Sequence, residues 1–364
     1  MEDLEYLVGM SLVPGLGPKR YEALVKTFGS PKKAWHAPEE AFASVPGLGE
    51  KFLRDFFATR KSLSLAKEGQ RLLDRGVKAL GREDARYPPL LKNIYDPPFI
   101  LYARGKGVSW ERPWVALVGS RKMTAYGREM AFWLGRELAS RGIGVVSGMA
   151  RGIDTWAHRG ALKGGGETAA VLGSGLDICY PPENRGLMGE ISARGLLLSE
   201  FPLGTGPKPR HFPLRNRIIS GISLGTVVVE AAVKSGALIT ADQALEQGRE
   251  VFALPGPITS PASRGCHNLI KQGAKLVQDV DDLLEELTAY IPAGESPAKG
   301  GVPQADLSPE EKRLLDLIPY HPYPAEGLAA ASGLPTARVK AALTILEIKG
   351  MIAQEAGNLI LRLK

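Results

Sequence analysis

Two short stretches of the 364-residue chain carry residue types suited to binding an anion beside an aromatic base. The first is Gly119-Ser120-Arg121, which follows the apolar run Val115 to Val118. A strand buried on both faces and followed by a helix places this turn at the carboxyl edge of a parallel sheet, where unpaired N–H groups converge on ligands. Arg121 adds a permanent positive charge there. The second is KPRHFPLRNR, Lys208 to Arg217, with four basic residues, no acidic ones, and Phe212 among them. Cations interleaved with an aromatic ring suit single-stranded nucleic acid, because the cations meet phosphates while a ring face accepts any base. If residues 213 to 222 are helical, Arg217 projects near the same sheet edge and could share one anion pocket with Arg121. The alternative makes Phe212 a hydrophobic staple at a helix start and the arginines a solvated face.

Other chemistries lack their motifs. There is no GxxxxGK[ST], so the P-loop phosphate cradle is missing. Gly173-Ser174-Gly175 opens like a dinucleotide fingerprint, but the third glycine is absent and Tyr180-Pro181-Pro182 follows instead of a helix. A triad of Ser199, His158 and Asp177 would be an arbitrary choice without a GxSxG elbow. Two distant cysteines and five histidines without ligand spacing make disulfides, a structural metal and a bound cofactor unexpected. The acidic start MEDLEYL is unlike a signal peptide, and no apolar run approaches the roughly 20 residues of a membrane helix, so a cytoplasmic protein without membrane contact is expected. A formal charge of +7 suggests an anionic partner. The excess lies before residue 257, because 308 to 364 hold only 7 basic against 6 acidic residues.

These stretches need a scaffold, and the chain length suggests two or three domains. From 114 to 256 strands near 115–118, 143–147, 168–172, 195–199, 225–229 and 250–254 alternate with helices near 124–141, 152–163, 184–193, 213–222 and 236–247. That alternation predicts an α/β fold, a Rossmann-like, doubly wound, mostly parallel sheet. A strand at Phe99 to Ala103 leads into it, and 263 to 288 add two helices and a short strand. Before it, Val-Pro-Gly-Leu-Gly occurs at 13–17 and at 45–49, each time followed by a basic helical run, as in a helix-hairpin-helix. Gly15 and Gly17, or Gly47 and Gly49, could bring N–H groups to a phosphate beside Lys19, Arg20 or Lys51, or could serve packing alone. Residues 289–307 are rich in proline, glycine and alanine and read as a linker. Beyond them, helices near 308–318, 324–332 and 335–349 precede a hairpin turned at Gly357-Asn358, which suggests a winged helix. Its third helix offers only Arg338, Lys340 and Lys349, so protein contact or a structural role is as open as duplex binding. The expected domains are a helical module at 1–80, a Rossmann-like domain at 81–288, the linker at 289–307 and a winged helix at 308–364.

Several motifs occur in a fixed order: Gly119-Ser120-Arg121, Ser147-Gly148-Met149-Ala150-Arg151-Gly152-Ile153-Asp154, Leu172 to Asp177 with Tyr180-Pro181, Ser199-Glu200-Phe201-Pro202, Phe212 to Gly221, Val229-Glu230 with Ser235 to Thr240, and Leu254-Pro255-Gly256. Together they resemble the DNA-processing protein A family, DprA, also called Smf, densely over about 85 to 280. The resemblance implies a non-enzymatic protein of natural transformation that binds and protects incoming single-stranded DNA, loads the RecA recombinase onto it, and forms a homodimer through the Rossmann-like domain. Carried over by motif, the DNA pocket comprises Gly119, Ser120 and Arg121 with Phe212, Arg215, Asn216 and Arg217. Lys208 and Arg210 lie just upstream, where the family varies. The alternative function is that of an enzyme, because the fold is similar to that of LOG-type phosphoribohydrolases, which carry PGGxGTxxE. Here Gly225-Thr226 and Glu230 remain, but Pro-Gly-Gly is lost. Glu230 is then a relic, a core-edge carboxylate bonded to backbone N–H groups, or a residual nucleotide hydrolase catalyst.

Overall fold

A computed structural model describes residues 3–287, 307–319, 323–349, 351–355 and 359–362. The chain divides into two compact units, Met1–Lys299 and Gly300–Lys364. The first begins with helices α1 (Leu4–Ser11), α2 (Pro18–Phe28), α3 (Pro31–His36), α4 (Glu50–Ser62) and α5 (Leu65–Asp74). Strands β1 (Lys78–Gly81), β2 (Ile100–Gly105) and β3 (Trp114–Gly119) follow, and then α6 (Ala125–Ser140), β4 (Gly144–Ser147), α7 (Ile153–Lys163), β5 (Thr168–Leu172), α8 (Arg185–Arg194) and β6 (Leu196–Ser199). The unit continues with α9 (His211–Ile222), β7 (Gly225–Glu230), α10 (Gly236–Glu246), β8 (Glu250–Ala253), α11 (Arg264–Lys271), β9 (Lys275–Leu276) and α12 (Asp281–Leu287).

These strands form one sheet in the order β1-β2-β6-β5-β4-β3-β7-β8-β9. β1 and β2 pair antiparallel with each other and β2 pairs antiparallel with β6, whereas every pair from β6 to β9 is parallel. The Rossmann-like reading therefore holds, with an antiparallel edge that the alternation of strands and helices did not disclose at β1. Val115, Ala116 and Leu117 of β3 have no exposed surface, as expected for a strand covered on both faces. Chain order runs outward from β3 through β4, β5 and β6, then returns to its other side at β7. β3 is thus the switch point, and the crevice at its carboxyl end is where such sheets bind ligands.

The N-terminal helices share a core with one flank of this sheet, where Met10, Leu24 and Phe56 lie in the same buried cluster as Ile100, Leu172 and Leu197. Both Val-Pro-Gly-Leu-Gly turns place their first glycine at positive φ, 77° at Gly15 and 78° at Gly47, and end on Gly17 and Gly49 as the N-caps of α2 and α4. Arg20 folds back onto the Gly15 carbonyl at 2.7 Å and lies over the Phe52 ring, joining the two repeats.

The second unit contains α13 (Pro309–Leu317), β10 (Tyr323–Pro324), α14 (Ala325–Ser332), α15 (Thr336–Ile348), β11 (Ile352–Glu355) and β12 (Leu359–Arg362). Its sheet order is β10-β12-β11, around Leu314, Leu328 and Leu346. This is a winged helix with one more strand, β10, than the expected hairpin. A capping box between Ser308 and Glu311 starts α13. The turn at Gly357-Asn358 and the linker, apart from Leu307, lie outside the described residues. Among the described residues no helix is long and apolar enough to cross a membrane.

Helices α6 and α7 cover one face of the sheet and approach until backbone meets backbone. A Cβ at Gly160 would lie 2.1 Å from the Phe132 carbonyl oxygen, so only glycine fits there. Gly160→Ala is expected to lower folding stability by about 1 to 3 kcal/mol through overpacking, read as a fall in melting temperature; an unchanged transition would contradict the tight contact.

Candidate functional site

The turn after β3 is held from three sides. Ser120 N donates to the Glu230 carbonyl at 2.7 Å, Ile153 N donates to the Ser120 carbonyl at 3.1 Å, and Lys122 N donates to Ser120 Oγ at 3.1 Å. Glu230 itself is 3% exposed, and its Oε2 accepts from Thr124 N at 2.9 Å, just where Thr124 caps α6. A Cβ at Gly127 would fall 1.9 Å from that oxygen. The glutamate is therefore the core-edge carboxylate bonded to a backbone N–H that was one of its three readings.

Above this turn Arg121 is exposed, and its guanidinium lies 4.7 Å from the centre of the Phe212 ring. Phe212 sits half-buried in the first turn of α9, with the Tyr180 ring 5.7 Å away on its other neighbour strand's loop. α9 begins at His211, two residues earlier than expected, because His211 stacks on Phe201 at 4.2 Å and its Nδ1 lies 3.2 Å from the Gly173 carbonyl. A cation over an aromatic face at a solvent-exposed edge contributes roughly 0.5 to 1 kcal/mol and leaves the guanidinium's N–H groups open outward.

Beneath Phe212, one turn along α9, Arg215 is 3% exposed. Its Nη1 donates to the Val171 carbonyl at 2.6 Å, and it passes so close to Gly148 that a Cβ there would meet Nη1 at 1.8 Å. Desolvation pulls its pKa down to about 10, while the neighbouring Asp154 works in the opposite direction, so the guanidinium stays charged at neutral pH. Burial pushes the Asp154 carboxyl above its ordinary range, and the positive charge of Arg215 with the N–H groups of Ala150 and Gly148 only partly opposes the rise.

Arg121, Arg151, Ser174, Tyr180, Phe212 and Arg215 line a narrow cleft. It adjoins a groove of about 860 Å³ whose wall includes Ser120, Arg121, Lys122, Phe212, Asn216 and Lys234. Of the residues expected at a DNA pocket, Gly119, Ser120, Arg121, Phe212, Arg215 and Asn216 all line this groove. Lys208 and Arg210 are exposed residues on the rim segment, interspersed with the lining Pro207 and Pro209.

Arg217 is not brought there. Its Nη2 donates to both carboxylate oxygens of Glu200, at 2.7 and 2.6 Å, its Nη1 donates to the Asp96 carbonyl, and the group is 6% exposed. The expected sharing of one pocket by Arg121 and Arg217 is therefore not found, and it is Arg215 that lines the cleft and the groove together with Arg121. Helical phase explains it: Phe212, Arg215, Asn216 and Ile219 recur at i, i+3, i+4 and i+7 and share the groove face, while Arg217 points to the opposite side. Arg151, Ser174, Tyr180 and Lys122 were missed as site residues, although the first three lie within the motifs quoted above and Lys122 directly follows one, in loops after strands.

A doubly wound sheet with a cationic, aromatic-flanked groove at its switch point defines a non-P-loop α/β domain with a groove suited to an anion. Residues 78–288 match the family model described as DNA recombination-mediator protein A, and 297–358 match the DprA winged helix domain. The chain is 35% identical over 385 aligned residues to Protein Smf of Synechocystis sp., covering 97% of each. It is similar to the solved DNA processing protein A of Streptococcus pneumoniae, with a TM-score of 0.66 at 36% identity over 77% of this chain and 96% of that one. It is also similar to the DNA processing protein A of Helicobacter pylori, whose structure is described in terms of a single-stranded DNA binding mode, with a TM-score of 0.53 at 29% identity over 59% of this chain and 97% of that one. The chain belongs to the DNA processing protein A family, DprA/Smf.

The two arginines that sequence reading placed together should separate in a thermal melt. Arg217→Ala leaves the largely buried Glu200 carboxylate without its partner and is expected to cost about 3 to 5 kcal/mol, whereas Arg121→Ala should stay within about 1 kcal/mol of the parent. Equal melting temperatures for the two variants would overturn this division of roles.

Proposed function

We propose that this protein binds single-stranded DNA in the groove at the end of β3, without catalysing a reaction on it, and hands the strand to a RecA recombinase during natural transformation. The observation that carries the binding step is the Arg121 guanidinium against the Phe212 ring at the lip of an open groove. A single strand offers phosphates to the cation and unpaired bases to the ring, which a duplex withholds. Asn216 and Lys234 extend the polar wall, and Arg215 supplies positive charge from below. Family membership and the single-stranded DNA binding named for the Helicobacter pylori relative support the same ligand. RecA as the recipient and a homodimer through the Rossmann-like domain rest on the family resemblance, and the proposed location is the cytoplasm.

The flanking modules have accessory roles in this reading. The glycine turns of the helix-hairpin-helix module at 1–80 leave Lys51 exposed while Arg20 is turned inward, so packing accounts for more of that module than phosphate contact does. In the winged helix, Arg338 and Lys349 are paired with Glu310 and Glu311 on α13, which favours a structural or protein-contact role over duplex reading. The nucleotide hydrolase reading loses its catalyst, since the Glu230 carboxylate is buried and engaged at the N-terminus of α6. AMP incubated with the purified protein should release no free base.

Competition between labelled oligo-dT and unlabelled duplex tests the proposal: the duplex should compete poorly, and equal competition would overturn it. Arg121→Ala should weaken oligo-dT binding and flatten its salt dependence by about 0.7 in the log–log slope, the share of one phosphate contact. Phe212→Ala should cost about 1 to 3 kcal/mol of affinity with the slope retained. Removing 300–364 should leave affinity within about tenfold, roughly 1.4 kcal/mol; a larger loss would move the site to the winged helix.

A further inference from the structure

Helices α6 and α7 both begin at the groove and run away from it. Thr124, the N-cap of α6, is bonded to Glu230, and Ile153, the first residue of α7, donates to the Ser120 carbonyl. One turn into α6 stands Arg128, and one to two turns into α7 stand Trp156 and Arg159. The guanidinium carbon of Arg128 lies 5.6 Å from the centre of the Trp156 ring, and that of Arg159 lies 4.8 Å from it. The indole is half-buried and braced by the Phe132 ring at 6.2 Å.

Two exposed guanidiniums gathered on one indole repel each other and lose side-chain freedom unless an anion joins them. The carboxylates on hand do little to offset this. Glu129 reaches Arg128 only at 3.9 Å, with both side chains largely solvated, and Arg159 has no hydrogen bond or ion pair among the described residues. Asp154, in the first turn of α7, is buried and accepts the N–H groups of Gly148 and Ala150, and Glu183 is held by Arg151. Arg121 and Lys122, both exposed, stand on the groove wall in the turn that leads into α6, so in sequence the cationic wall is followed one helical turn later by Arg128. A helical turn rises about 5.4 Å, so the cluster is within a few nucleotides of Arg121.

We infer that Arg128 and Arg159, held together by Trp156, form a second station that grips the phosphates of the same single strand after it leaves the groove past Arg121 and Lys122. The inference rests on the single-stranded DNA reading and deepens it. Arginine forks match phosphate oxygens, and an aromatic platform keeps two of them presented outward. Such contacts fix the direction of the strand and carry no base preference. The station sets an exit path toward the α6–α7 face, and it makes affinity depend on oligonucleotide length.

The test compares oligo-dT of about 4 nucleotides, which fills the groove alone, with oligo-dT of about 16, which reaches the second station. Arg128→Gln combined with Arg159→Gln should weaken the long oligonucleotide about tenfold and lower its salt slope by about 1.4, two contacts at about 0.7 each, while the short one binds as before. Arg159→Gln alone should give about half the change in slope, with the melting temperature of every variant confirming the fold. Unchanged affinity and slope for the long oligonucleotide would overturn the inference, as would an equal loss for both lengths. Arg121→Ala run in parallel separates the two levels: it should weaken both lengths. Failure of the parent protein to bind either oligonucleotide sinks the single-stranded DNA reading and this inference with it, whereas normal parent binding with an inert double variant sinks the second station alone.

Discussion

The site depends on one buried charge. Arg215 is almost completely removed from water, and burying a guanidinium is costly unless hydrogen bonds and a countercharge offset much of the loss. The Val171 carbonyl takes one N–H, the Asp154 carboxylate supplies the countercharge, and Gly148 leaves the space through which the side chain passes. Those three residues belong to β5, α7 and the loop after β4. These contacts tie α9 to the carboxyl edge of the sheet through Arg215, and it is α9 that carries Phe212 and Asn216 into the groove. Asp154 in turn accepts the N–H groups of Gly148 and Ala150, so the loop bearing Arg151 is shaped by the same pair.

On this base the groove combines two kinds of attraction that respond differently to solution conditions. In the proposed function the cations at its wall would act on phosphates through an interaction that salt weakens. The Phe212 ring would act on bases through contact area and polarisability, which salt hardly touches. Arg121 belongs to both, because its guanidinium lies on the ring that a base would approach. Glu230, the one residue that carried the possibility of an enzyme, does a different job: it accepts from the backbone N–H of Thr124, the N-cap of α6, holding the turn that presents Arg121.

Much of this was legible in the sequence, for identifiable reasons. The apolar run before Gly119 and the alternation after it placed the β3 turn at a ligand-binding edge, and the interleaved cations and ring marked 208–217. What the sequence did not disclose was pairing at a distance. Arg217 is held by Glu200 and Asp96, which lie 17 and 121 residues away from it at the Glu200 side chain and the Asp96 carbonyl, and no local pattern announces such a network. Its direction was nonetheless available from helical phase, since Phe212, Arg215 and Asn216 fall on one face and Arg217 does not. β1 escaped because four residues in an antiparallel edge strand, Lys78 to Gly81, leave too short a pattern to read. Trp156, flanked in sequence by Ala157 and Thr155, gave no hint that Arg128 on another helix would share its ring.

The central claim is that Arg121 and Phe212 act as one unit on a single strand, and a double-mutant cycle on oligo-dT affinity addresses it directly. With Arg121→Ala, Phe212→Ala and the double variant measured at one salt concentration, the account predicts a coupling of about 0.5 to 1 kcal/mol or more, the double variant losing less than the sum of the singles. Strict additivity, within about 0.3 kcal/mol, would show that the two side chains meet the strand independently and would contradict the account.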